Sequence, residues 1–190
     1  MTSHERAEGL AAVLPGASLT DSFGQVTVDV SAATWLDALR RARDDHGLGY
    51  LDWLSAYEDT GPALAVVCHL VALETTEHLL LRTRVDAGRP SLPSAVPVFR
   101  GADWHEREAA EMFGLVFTGH PAPGPLLLPA GFEGHPLRKD FVLAARSARP
   151  WPGAKEPGES GTAIRRRRSQ PPGVPAPGSW GPADPGGGQP

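Results

Sequence analysis

Glu106, Glu108 and Glu111 stand close together in "DWHEREAAEMFG", with His105, His120, His135 and Asp140 within a short reach of chain. Those side chains could hold a metal ion or share a proton between two carboxylates. The zinc-protease helix needs two histidines four residues apart, so that both imidazoles meet one ion, and Ala109 stands four residues after His105. His120 and His135 sit in two Gly-His-Pro loops, Gly119 to Pro121 and Gly134 to Pro136. Their 15-residue separation fits no usual ligand pair.

Paired carboxylates are the stronger chemical reading, because Glu108 and Glu111 leave adjacent turns of one helix. On a helical wheel Glu108 falls between Trp104 and Met112, the apolar side, and Glu111 falls nearer Arg107. A carboxylate facing a core is costly without a partner, so Glu108 is expected to meet Arg138, Lys139 or backbone amides. A satisfied ion pair fixing "GHPLRKDF" on the helix is favoured over catalysis.

Other chemistries lack their residues. No Gly-x-Gly-x-x-Gly and no Gly-Lys-Ser/Thr phosphate loop occurs, and there is no Gly-x-Ser-x-Gly elbow. The single cysteine, Cys68, lies in the apolar run "LAVVCHLVAL" and reads as a core residue. One cysteine also excludes an intrachain disulfide and any thiolate-built zinc or iron–sulfur site. What remains in residues 103–141 is a block of charge, proline and glycine, which reads as a rigid docking surface.

The elements that position this block can be read upstream. "QVTVDVS" alternates Val26, Val28 and Val30 as a strand, Ser31 suits a helix cap, and "AATWLDALRRARDDHG" repeats Trp35, Leu36, Leu39 and Ala42 at helical spacing before a stop at Gly47. Leu48 to Asp59 is apolar without clear period, a strand or a short helix. "ALAVVCHLVAL" and "EHLLLRTRV" predict a β-hairpin turning near Thr75 and Thr76, with Leu79, Leu81 and Thr83 on one face. "DAGRPSLPSAVP" predicts a loop, and "DWHEREAAEMFG" a helix with Asp103 and Glu106 as a capping box and Gly114 as its left-handed stop. The order implies an α+β fold, a two-layer sandwich with helices on one face of a small mixed sheet.

The chain has 190 residues, of which 41% are hydrophobic, enough for one domain. From Ser147 to Pro190, 19 of 44 residues are proline or glycine, so residues 147–190 are expected to form an extended, disordered tail. The expected organisation is an N-terminal segment, 1–23, a domain over 24–146, and that tail, with Trp151 and Trp180 as its anchors on a partner. A net charge of −4 gives no case for nucleic acid, and the basic run Arg165 to Arg168 stands alone. No signal peptide is expected from the mixed charges of the first residues, and Ala63 to Leu73, interrupted by His69, is too short to span a bilayer.

"EREAAEMFG", "FTGHP" and "FEGHPLRKDF", in that order, resemble the signature of the C subunit of bacterial NADH-quinone oxidoreductase, a component of respiratory complex I. The resemblance covers residues 24–146. It carries onto Glu106, Arg107, Glu108, Glu111, Met112, Phe113 and Gly114, onto Gly119, His120 and Pro121, and onto Phe132, Glu133, Gly134, His135, Pro136, Leu137, Arg138, Lys139, Asp140 and Phe141. It implies a non-catalytic structural component of the peripheral arm, beside the quinone-site D subunit and the iron–sulfur B subunit, on the cytoplasmic side of the cell membrane. By the same resemblance this chain binds no cofactor, and the assembled translocase carries electrons from NADH through FMN and iron–sulfur clusters to quinone. Ala122 to Pro125, "APGP", depart from the family's usual acidic, leucine and double-arginine run. The equivalent component of a membrane-bound hydrogenase and a free-standing metal-dependent hydrolase are the alternatives.

Overall fold

The computed structural model describes residues 1–142. The tail over 147–190, the domain limit at 146, Trp151, Trp180 and the run Arg165 to Arg168 lie outside the described residues.

The central hairpin forms as its alternation predicts. β4 (Ala63–Ala72) pairs antiparallel with β5 (Glu77–Asp86), from Ala63 opposite Asp86 to Ala72 opposite Glu77. Thr76 takes a left-handed conformation, φ 58°, to close the turn. Leu64, Val66, Cys68 and Leu70 on β4, with Leu79, Leu81 and Thr83 on β5, are buried on one face. The ambiguous stretch resolves as a strand, β3 (Tyr50–Glu58), because β4 offers it a hydrogen-bonded edge and Leu51, Leu54 and Ala56 a place in the core.

β2 (Gln25–Val30) pairs parallel with β5, and β1 (Ser18–Ser22) antiparallel with β2. The sheet order is β1-β2-β5-β4-β3, mixed as expected. Between β2 and β3 runs α2 (Trp35–Asp44), entered through a 3-10 turn, Ala32–Thr34, whose Ser31 hydroxyl accepts from the Thr34 amide at 3.3 Å. α2 buries Trp35, Ala38, Leu39 and Ala42. It ends where Gly47, φ 67°, lets the Leu48 amide donate back to the Ala42 carbonyl at 2.9 Å.

The segment before residue 24 supplies two elements that its sequence did not announce. α1 (Ser3–Ala12) opens on a capping box between Thr2 and Glu5 and puts Ala7 and Leu10 into the core. Its Arg6 guanidinium donates to the His46 carbonyl and to Thr75 Oγ1, tying α1 to the ends of α2 and β4. The Glu77 carboxylate accepts from the Ser3 amide and hydroxyl at 2.5 and 2.6 Å, tying it to β5.

The far face of the sheet carries Trp53, Tyr57, His69, Arg82 and Arg84, and no helix lies on it among the described residues. There Asp29 takes two hydrogen bonds from Arg82, both 2.7 Å, and one from Arg84, also 2.7 Å. Burial alone would raise the Asp29 carboxyl, but the bonds and charges of the two arginines outweigh it and hold it below the usual aspartate range.

β6 (Ser91–Pro93) pairs parallel with β7 (Val116–Thr118) in a second small sheet, so part of the expected 86–97 loop is strand. Between β6 and β7 in the chain comes α3 (Ala102–Phe113), which packs against β3. Its capping box is absent. The helix begins two residues early, Gly101 is the N-cap without a side-chain bond, and Asp103 already sits in the first turn.

Candidate functional site

α3 buries Ala102, Glu106, Ala109 and Phe113, a stripe whose two alanines let the helix pack closely on β3. This reverses the wheel drawn from the bulky apolar side chains. Trp104 is 67% exposed and Glu108 is exposed with it, whereas Glu106 is 0% exposed. The buried carboxylate is therefore Glu106, and its partners are not Arg138 or Lys139. Ser94 Oγ donates to Glu106 Oε2 at 2.6 Å and the Ala95 amide donates to Oε1 at 2.5 Å. Burial raises the Glu106 carboxyl above the usual glutamate value, against the lowering effect of those two bonds.

The outer face of α3 is held by the loop that follows β7. Arg107 donates from Nε to the Gly124 carbonyl at 3.0 Å and from Nη2 to the Pro125 carbonyl at 2.6 Å. Glu111 accepts from the amides of Leu126, Leu127 and Leu128 at 2.7, 2.8 and 3.3 Å. Glu108 and Glu111 thus do not form a working pair. Glu111 is committed to three backbone donors, and Glu108 faces solvent.

The two Gly-His-Pro loops do one job at opposite ends of α3. His120 is buried, with Nε2 at 3.2 Å from the Asp103 carbonyl and 3.0 Å from Asp103 Oδ1, while Nδ1 accepts from the Ala122 amide at 3.1 Å. His135 donates from Nδ1 to the Glu111 carbonyl at 2.9 Å. Gly114, φ 76°, ends the helix as expected, and a Cβ there would lie 2.7 Å from His135 Nε2. Gly119 and Gly134, φ 80° and 94°, bend the chain into each loop. His105, His120 and His135 do not converge. No group of three or more ligating side chains that could hold a metal forms among the described residues.

The last signature block closes over the C-terminal end of α3. The Leu137 amide donates to the Met112 carbonyl at 3.1 Å, and Phe132 stacks on Phe141 with centroids 6.0 Å apart. Arg138 Nη1 donates to the carbonyls of Ala87 and Phe113, both 3.3 Å, and its Nε lies 3.6 Å from Glu58 Oε1. The Lys139 amide donates to Glu58 Oε2 at 3.1 Å. Glu58 and Ser94 are the residues that sequence reasoning missed, since each binds a block far along the chain. Pro121, Glu133, Leu137, Lys139 and Asp140 are exposed, and Met112 and Pro136 are half-buried. A cavity of about 390 Å³ opens between α3, β7 and the 119–125 loop, lined by Glu106, Ala110, Leu115, Phe117, His120 and Pro125.

A mixed five-stranded sheet covered by helices, one of which, α3, is clamped at both ends by loops, defines an α+β domain with a preformed surface block. The chain belongs to the family described as the respiratory-chain NADH dehydrogenase 30 Kd subunit, whose profile matches residues 28–147. It is 40% identical over 144 residues to the NADH-quinone oxidoreductase C subunit of Roseiflexus sp. (strain RS-1), covering 73% of this chain and 83% of that one. It is 43% identical over 140 residues to the same protein of Ralstonia nicotianae (strain ATCC BAA-1114 / GMI1000), covering 67% and 69%. Among solved structures, the trypsin-resistant fragment of Nqo5 superposes with TM-score 0.57 at 26% identity, covering 64% of this chain and 99% of the fragment. A chain of the archaeal membrane-bound sulfane sulfur reductase shares the fold, with TM-score 0.62 at 21% identity over 75% of this chain and 86% of that one.

Proposed function

We propose that the chain is the C subunit of an NADH-quinone oxidoreductase and that its contribution is structural, with no catalytic group of its own. In that assembly electrons pass from NADH through FMN and iron–sulfur centres to quinone, coupled to proton translocation. The chain docks in the peripheral arm beside the quinone-site D subunit and the iron–sulfur B subunit, on the cytoplasmic side of the cell membrane.

The observation that carries this reading is where the signature side chains spend their bonding capacity. Glu106, Arg107, Glu111, His120, His135 and Arg138 all bind backbone of this chain, so they shape a surface and leave no activated nucleophile or open ligand set. A single buried cysteine cannot supply the several thiolates of an iron–sulfur cluster, and burial pushes its thiol up. No described helix is long and apolar enough to cross a membrane, which agrees with attachment through partners.

The test is NADH-to-quinone activity in membranes of a strain lacking the chain, restored with the wild type or with the exposed carboxylates Glu108, Glu133 and Asp140 neutralised together. Normal turnover per assembled complex supports the structural role. Normal assembly with turnover abolished overturns it.

A further inference from the structure

We infer a binding site for one divalent transition-metal ion on the uncovered face of the sheet, formed by His69 and His78. The two residues sit diagonally across the β4–β5 ladder, His69 opposite Leu80 and His78 opposite Val71, so both rings project from the same face. His69 Nε2 and His78 Nδ1 point at one another across 2.9 Å. The rings are nearly perpendicular, 71° apart, with centroids separated by 4.9 Å.

Two features favour a metal over a mere hydrogen bond between rings. The first is the carboxylate behind His69: Asp52 Oδ2 lies 3.0 Å from Nδ1. That contact puts the hydrogen on Nδ1 and leaves the Nε2 lone pair aimed at His78. A carboxylate placed behind a metal-bound histidine in this way orients the ring and strengthens it as a ligand. The second is spacing. At metal–nitrogen bonds of ~2.0–2.1 Å, two ligands in cis positions 90° apart lie ~2.9 Å from each other, so the two nitrogens already stand at the separation an octahedral or square-planar ion needs, and each ring turns by ~45° to swing its lone pair onto the ion. A tetrahedral ion needs the rings ~0.4 Å further apart.

Imidazole donors and a 90° bite select Ni²⁺ or Cu²⁺ over Mg²⁺ or Ca²⁺, which take oxygen ligands. His78 must pass its hydrogen from Nδ1 to Nε2, a tautomer change that gives up only the bond to His69, since Nδ1 bonds no other group among the described residues. The site supplies two ligands, and water completes the shell. Trp53, stacked on His69 at 5.8 Å, shields one side of the pair.

The experiment is equilibrium dialysis of the untagged full chain against Ni²⁺, with His69→Gln, His78→Gln and, as a remote control, His105→Gln. We expect one bound ion per wild-type chain, at least tenfold weaker binding in the first two variants and unchanged binding in the third. No stoichiometric binding, or binding indifferent to both substitutions, overturns the site. Pulsed electron paramagnetic resonance of the wild-type chain loaded with Cu²⁺ keeps the test independent of variant folding. Coupling to two imidazole nitrogens supports the pair, and coupling to none or one refutes it.

Discussion

Ser94 and Glu106 meet at 2.6 Å in the core, and that hydroxyl–carboxylate bond joins the start of the β6–β7 region to the buried face of α3. A fully buried carboxylate with two donors is worth keeping only whole. Ser94→Ala should cost ~1–2 kcal/mol, and Glu106→Ala, which strands the hydroxyl and the Ala95 amide and empties part of the core, ~3 kcal/mol. The Glu106 carboxyl sits above its ordinary value in the fold. Its contribution is therefore greatest below the ordinary glutamate pKa and is lost as pH rises through the raised value. Urea unfolding of wild type and Glu106→Gln across that window should show the wild type losing stability relative to the variant as pH rises; a constant difference would contradict the assignment.

Glu108 and Glu111 should separate cleanly. Glu108→Gln, on an exposed position, should shift stability by no more than ~0.5 kcal/mol and leave assembly intact. Glu111→Ala removes the acceptor of three amides and should cost ~2 kcal/mol while opening residues 124–128 to protease. Denaturant titration with limited proteolysis reads both effects.

Gly114→Ala meets two obstacles, a left-handed backbone and a Cβ 2.7 Å from His135. The cost should reach ~2 kcal/mol or more, seen as a lower melting temperature. Adding His135→Ala should recover the steric share of that loss and leave the backbone share.

The residues behind these effects differ in how visible their roles are in the sequence. The β4–β5 hairpin and α2 were legible because their apolar residues repeat with a clean period and Gly47 marks the stop. β1 was not, because an edge strand exposed along its whole length, "SLTDS", shows no alternation. α1 hides its packing behind a charged residue, Arg6, whose guanidinium donates to groups 40 and 69 positions away. The phase of α3 was misread because Trp104 and Met112 look like core, while close approach to the sheet selects alanine. The signature residues were visible as a set, but their bonds to loop backbone depend on long-range folding that no spacing encodes.

Asp29 makes the uncovered sheet face sensitive to acid. Its carboxyl is held low by Arg82 and Arg84 against the upward push of burial, so the stability it adds is present above the ordinary aspartate pKa and is lost as pH falls through the lowered one. Asp29→Asn should cost ~2 kcal/mol at neutral pH and little at strongly acid pH. Melting curves over that range test it, and a pH-independent loss would contradict it.

Membership of a respiratory assembly is tested most directly by an affinity pull-down of the tagged chain from solubilised membranes of its native host, with partners identified by mass spectrometry. A structural component of the peripheral arm should bring down the quinone-site, iron–sulfur and flavin subunits of NADH-quinone oxidoreductase in equal proportion to itself. Recovery of the well-folded chain alone would contradict that role.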